Sequence, residues 1–137
     1  MSVQNDLIDQ DHRYLICLFN CLELALDRDD YLTLLPDFFQ QLLDYTKSHF
    51  TREERIQLKM NYAKYMEHKQ DHQSIIAEIE EINQKIQKCV NSSDPNIDFP
   101  VNADVLLLAR KWVIDHILKA DRDMIPLLKT LPRNFQG

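Results

Sequence analysis

Glycine is almost absent from this sequence: there is one in 137 residues. β-Hairpins depend on turn glycines, so a hairpin-built sheet is excluded and an all-helical fold is what remains. Proline is sparse too, at five. Basic clusters are missing, and the formal net charge is −6. Nucleic acid and anionic membrane surfaces are therefore not expected as partners. No apolar run approaches the roughly 20 residues that span a bilayer. The first six residues lack the basic-then-apolar pattern of a secretory signal. The three cysteines, an odd number, then read as reduced thiols of a cytoplasmic protein. The length suits one domain, residues 1–137, with a sizeable core.

What is present is helical periodicity, in four segments. The first is expected from about Asp11 to Arg28, capped by Asp9 or Asp11. Leu15, Ile16, Phe19 and Leu26 lie within about 60° of His12 on its wheel, with Glu23 on the same side. Tyr14, Cys17, Leu18, Cys21 and Ala25 form a second apolar stripe opposite. That stripe reads as deep burial, or as a contact face for a second copy or a signalling domain. The second segment runs from about Leu34 to Met60, with Pro36 in its first turn. Its stripe is Leu35, Phe38, Leu42, Tyr45, His49, Glu53, Ile56 and Met60. Asn61 and Tyr62 break the chain, since Asn tolerates the left-handed conformation that ends helices.

The third segment runs from about Lys64 to Val90, with Tyr65, His68, His72, Ile75, Ile79, Ile82, Ile86 and Cys89 on one face. Its other face is charged and reads as solvated surface. Asn91 to Pro100 is the clearest loop. The fourth segment runs from about Ala103 to Ala120, where Val105, Ala109, Trp112, Val113 and His116 share a face. After it, a short apolar stretch around Pro126 packs as a turn of helix over the bundle end. Four amphipathic helices with short connections favour an all-α, antiparallel up-down-up-down four-helix bundle.

All five histidines, His12, His49, His68, His72 and His116, fall on core stripes, and together they touch all four helices. A single core histidine is ordinarily just a hydrogen-bonded residue. Burying five imidazoles without strong partners is costly, and a shared metal satisfies them at once. Five core histidines acting as pH switches are the alternative. His49 with Glu53, and His68 with His72, are spaced by four, which puts both members of each pair on one helix face. Cys17 and Cys21 point roughly 140° and 180° away from His12, and five imidazoles exceed what one tetrahedral zinc ion takes. Nitrogen and oxygen donors in this number suit iron, manganese or a similar metal, as two ions bridged by carboxylate. No Glu-x-x-His motif occurs, so this is not the carboxylate-rich type of bundle dimetal site. Asp121 stands five residues after His116, about 140° away on a regular helix. It joins the site only if the helix ends or loosens there; otherwise it is a surface aspartate.

Taken in order, His12, His49-x3-Glu53, His68-x3-His72 and His116-x4-Asp121 resemble the hemerythrin family, specifically the bacterial hemerythrins. The resemblance runs from Ile8-Asp-Gln-Asp-His12 to Asp121 and includes His49-Phe-Thr-Arg-Glu53-Glu54 and Trp112-Val-Ile-Asp-His116. It implies a non-haem di-iron centre that binds O2 reversibly. His68, His72 and His116 would hold one iron and His12 and His49 the other. Glu53, Asp121 and a solvent-derived oxo or hydroxo group would bridge them. O2 would take the open position on the second iron, in a dry pocket lined by Trp112. The chain departs from the family pattern at Asn61-Tyr62 and at Leu118-Lys119-Ala120, where glycine or a small residue is common. The segment before His12 is also shorter than in many relatives, as in a domain that begins a longer signalling protein or was cut from one. An oxygen carrier or store and an O2- or redox-sensing module both follow from the resemblance. A di-iron peroxidase or nitric-oxide-handling enzyme is the alternative, and no acid or base beyond the ligand set commits the chain to it.

Overall fold

The computed structural model describes residues 2–92, 107–108 and 111–137, with Leu32, Val113 and Ile114 described by backbone alone. The fold is an antiparallel four-helix bundle, and no strand occurs among the described residues. Helix α1 spans Asp6–Leu26, α2 Tyr31–Lys59 and α3 Tyr65–Asn91. The described part of α4 is Lys111–Ala120, followed by a 3₁₀ turn, Asp121–Met124, and a single turn, α5, Ile125–Leu128. The expected loop from 93 to 100 and the start of the fourth helix, including Val105 and Ala109, lie outside the described residues.

Helix α1 starts earlier than the sequence suggested. Asn5 is its cap, with a side-chain oxygen that accepts from the Ile8 N–H at 3.1 Å. Asp9 and Asp11 are therefore not caps. Asp9 accepts from Ser2 Oγ at 2.6 Å and from the Val3 N–H at 2.8 Å, which folds the preceding arm back onto the helix. The buried arc of α1 is Ile8, His12, Leu15, Leu18, Phe19, Leu22 and Ala25, a regular three-four repeat. Leu18 and Ala25 thus belong to the core, and the expected second stripe dissolves as a single face. Tyr14, Cys17 and Cys21 remain exposed. Glu23, expected on the core side, is exposed as well. A helix wedged between two neighbours buries an arc wider than a wheel centred on one residue describes. Where that arc is centred depends on where the neighbours stand.

In α2, Pro36 lies inside the helix rather than in its first turn, because the helix begins at Tyr31. The break to α3 falls where expected: Asn61 adopts φ 53°, in the left-handed region. One apolar cluster fills the bundle body, from Leu15 and Phe19 through Phe39 and Leu42 to Ile79, Ile86 and Trp112. A second closes one end, where Val3, Ile8, Ile56 and Met60 meet Met124 and Leu128. The tail locks onto that end: Asn5 donates to the Phe135 carbonyl at 2.7 Å, and the Asp6 N–H donates to the Arg133 carbonyl at 2.8 Å. The polar cluster described next lies between these two apolar masses.

Candidate metal centre

The winding of α4 decides where Asp121 goes. Lys111–Ala120 is a π-helix, in which each N–H reaches back five residues rather than four. A spacing of five is then about one turn, and His116 and Asp121 come to share a face. Their Nε2 and Oδ1 atoms lie 3.0 Å apart, and Asp121 is fully buried. This wide winding is the loosening that a regular helix would have denied.

All five imidazoles turn Nε2 inward. His68 Nε2 lies 3.3 Å from His116 Nε2, and His72 Nε2 lies 3.1 Å from it. His49 Nε2 is 3.1 Å from Glu53 Oε2, and His12 Nε2 is 2.9 Å from Asp121 Oδ2. Glu53 Oε1 faces His68 at 3.1 Å and His72 at 3.3 Å. The seven residues form two overlapping groups. One is His68, His72, His116, Glu53 and Asp121; the other is His12, His49, Glu53 and Asp121. Within each group the donor atoms lie within 4.8 Å of one another, close to the span of ligands around one ion.

The cluster is short of protons and directions. Although His12 Nε2 approaches Asp121 Oδ2 closely, neither atom is aligned for a hydrogen bond. Both, with His49 Nε2 and Glu53 Oε2, are buried polar atoms without a hydrogen-bond partner. Such groups are expensive to bury unless a cation collects their lone pairs. Five imidazole nitrogens with two shared carboxylates form a nitrogen–oxygen donor set with no thiolate, which suits iron or manganese. The residues present therefore fit the pair of ions that the sequence pattern implied.

Without a metal, protons fill that role. Burial would lower the His12 pKa, but Asp121 and Glu53 outweigh it and hold the imidazole at about 9. His68 is likewise held at about 10, against its burial, by the same two carboxylates. Burial would raise Glu53, yet His12, His49, His68 and His72 keep it well below the ordinary carboxylate range.

An outer layer orients the rings, and apart from Trp112 sequence reasoning did not single out its members. His49 Nδ1 donates to Asp11 Oδ2 at 3.0 Å, so Nδ1 carries the proton and Nε2 is left to face the centre. Asp11 also accepts from Tyr45 Oη at 2.7 Å and from Arg52 through Nε at 2.9 Å and Nη2 at 2.8 Å. Burial would raise the Asp11 pKa, but His49, Arg52 and Tyr45 together hold it far below the usual carboxylate range. His72 Nδ1 donates to Glu54 at 2.9 Å. Phe50 stacks on His72 with ring centres 3.7 Å apart and planes 7° apart, and it lies 5.2 Å from Trp112. Trp112 in turn stacks on His49 at 5.9 Å and meets His116 edge-on at 5.4 Å. Phe50 and Trp112 form an apolar wall against both groups. The available signal was adjacency: Asp11, Phe50, Arg52 and Glu54 are all within three residues of a candidate ligand.

A buried, histidine-rich cluster between four helices, with two carboxylates shared by two donor groups, defines a helical-bundle protein whose core could hold metal. The hemerythrin HHE cation binding domain model matches residues 3–128, and the chain belongs to the hemerythrin family. It is 29% identical over 123 residues to a bacteriohemerythrin of Clostridium acetobutylicum, covering 88% of this chain and 90% of that one. It is 27% identical over 125 residues to a Campylobacter jejuni bacteriohemerythrin, covering 91% and 88%. A myohemerythrin of Riftia pachyptila is 26% identical over 119 residues, covering 87% and 81%. No solved structure matches the chain. No helix among the described residues is long and apolar enough to cross a membrane.

Proposed function

We propose that this chain binds O2 reversibly at a non-haem di-iron centre, as an oxygen carrier or store or as an O2- or redox-sensing domain. The observation that carries the reading is the pair of overlapping buried donor groups sharing Glu53 and Asp121. His68, His72 and His116 would hold one iron, His12 and His49 the other, and the two carboxylates would join them. When bound, the irons supply the electrons that make O2 binding strong and reversible.

The chain's own residues do the rest. The group with His68 offers five residues and the group with His12 offers four, so an ion held by His12 and His49 would have coordination space left. Asp11 fixes the tautomer of His49, and Glu54 fixes that of His72. Trp112 and Phe50, 0% and 3% exposed, keep water from the cluster. A dry wall slows the loss of electrons to solvent-assisted oxidation. The test is to load the chain anaerobically with Fe(II), count the metal and mix with O2. Two irons per chain and a visible absorption band that vanishes on deoxygenation are expected. A chain that takes up no iron, or one whose oxygenated spectrum cannot be reversed, contradicts the reading.

A further inference from the structure

Among the described residues, Arg52 is the cation built against the outer layer of the centre. Its guanidinium grips both oxygens of Asp11 in the fork geometry that suits a carboxylate, at 2.9 and 2.8 Å. Tyr45 adds a fourth donor to that carboxylate, after His49 and the two from Arg52. The Arg52 guanidinium also lies over the Tyr45 ring at 5.4 Å, and Tyr14 packs against the same ring with ring centres 4.3 Å apart. Asp11 is thereby 3% exposed, while Arg52 remains about a quarter exposed.

A carboxylate accepting the outer N–H of a ligating imidazole makes that imidazole a stronger electron donor. A carboxylate whose charge is already spread over an arginine and a phenol pulls on that proton less. We infer that Arg52 is a positioning residue that sets the electron-donating strength of His49 by neutralising Asp11, and so tunes the redox balance of the metal on the His12 and His49 side. This rests on the di-iron reading above. Removing the arginine restores the full charge of Asp11 behind His49 and deletes a positive charge near the centre. Both changes favour the oxidised metal.

The experiment compares Arg52→Gln, Arg52→Lys and Tyr45→Phe with the natural chain, each loaded with Fe(II). Arg55→Gln serves as control, because it removes the same charge one turn along the exposed side of α2, where Arg55 donates to the Gln136 carbonyl. The readouts are iron content, midpoint potential and rate of oxidation in air. Arg52→Gln is expected to keep its iron, shift its potential negative and oxidise about tenfold faster, the low end of what outer-layer changes cost. Arg52→Lys restores part of the shift, since it returns the charge without the fork. Tyr45→Phe moves the same way by less, and Arg55→Gln stays at the natural value. An unmoved potential in Arg52→Gln, or an equal shift in Arg55→Gln, overturns the inference. If Arg52→Gln no longer loads iron, Tyr45→Phe decides, and an unmoved potential there has the same consequence. A natural chain that takes up no iron sinks the di-iron reading and this inference with it. A natural chain that loads beside an unmoved Arg52→Gln sinks this inference alone.

Discussion

His49 and His72 each donate an Nδ1–H hydrogen bond to a carboxylate outside the cluster, but the two carboxylates live in different surroundings. Asp11 is 3% exposed and takes donors from His49, Tyr45 and both sides of Arg52. The Glu54 side chain is 20% exposed, and His72 is its only side-chain partner among the described residues. One half of the centre is anchored by a buried, neutralised network that ties α1 to α2. The other is anchored by a carboxylate that water can reach. On the di-iron reading the difference would separate two jobs. A group with five donor residues would need little help to hold its ion. A group with four would have to keep its rings fixed while leaving space beside them, and rigidity there would come from outside the donor set.

Both halves of the centre depend on Glu53, which belongs to both groups. Glu53→Gln keeps the volume and removes the shared charge. It is expected to cost metal affinity more than the about 10–100-fold that outer-layer partners carry, in both halves. Metal counting after desalting measures this, and a variant retaining the full metal complement would show that Glu53 joins nothing. His49→Ala is expected to separate the halves by emptying one and sparing the other. About half of the natural metal content should remain, because His68, His72 and His116 still share Glu53 and Asp121.

Asp11→Asn, in the metal-free chain, leaves the buried end of Arg52 without its counter-charge. A loss of about 3 kcal/mol in unfolding free energy is expected from breaking a largely buried pair. Denaturant titration reads it, and a loss below about 1 kcal/mol would mean that the network orients without stabilising.

Next in size is a pH dependence. In the metal-free chain the His12 and His68 pKa values are raised to about 9 and about 10. Their contribution to stability is fully present below about 6.5, the ordinary histidine value, and is lost as pH rises through about 9 to 10. A metal must displace those protons, so its affinity rises over the same interval, by about tenfold per pH unit for each proton displaced. Calorimetry in buffers of different ionisation enthalpy would detect the released protons; zero release at pH 7 would contradict the protonated state of both rings. The smallest effect belongs to Glu54→Gln. Partly exposed, with one partner, it is expected to change stability by less than about 1 kcal/mol. A loss equal to that of Asp11→Asn would erase the distinction between the two anchors.

The histidines were legible because they sit on apolar stripes, where a polar residue is conspicuous, and the spacing of four fixed two faces without knowledge of the fold. Asp121 was not legible from periodicity. Its position depends on α4 winding wider than an α-helix, and nothing in the 3.6-residue repeat signals that. Asp11 read as a candidate helix cap, and nothing on the α2 wheel singled out Arg52; only the approach of α1 to α2 makes them partners. Leu18 and Ala25, read as part of a stripe that was either deeply buried or a contact face, were left undecided for a related reason, and both are buried. Amphipathicity gives the width of a buried arc more readily than its centre, and the centre is set by neighbouring helices.

The wide turns of α4 also bear on how chains of this kind are to be aligned. If one residue were removed between His116 and Asp121, the spacing would become four. An ordinary α-helix presents that spacing on one face with no change of winding. The stretch from 117 to 120 thus carries one residue more than a regular helix needs to deliver the same two side chains. A relative with a regularly wound last helix can match this centre in space while being one residue shorter in sequence. A strict residue-by-residue alignment would then put a gap beside a carboxylate that occupies the same place in both molecules.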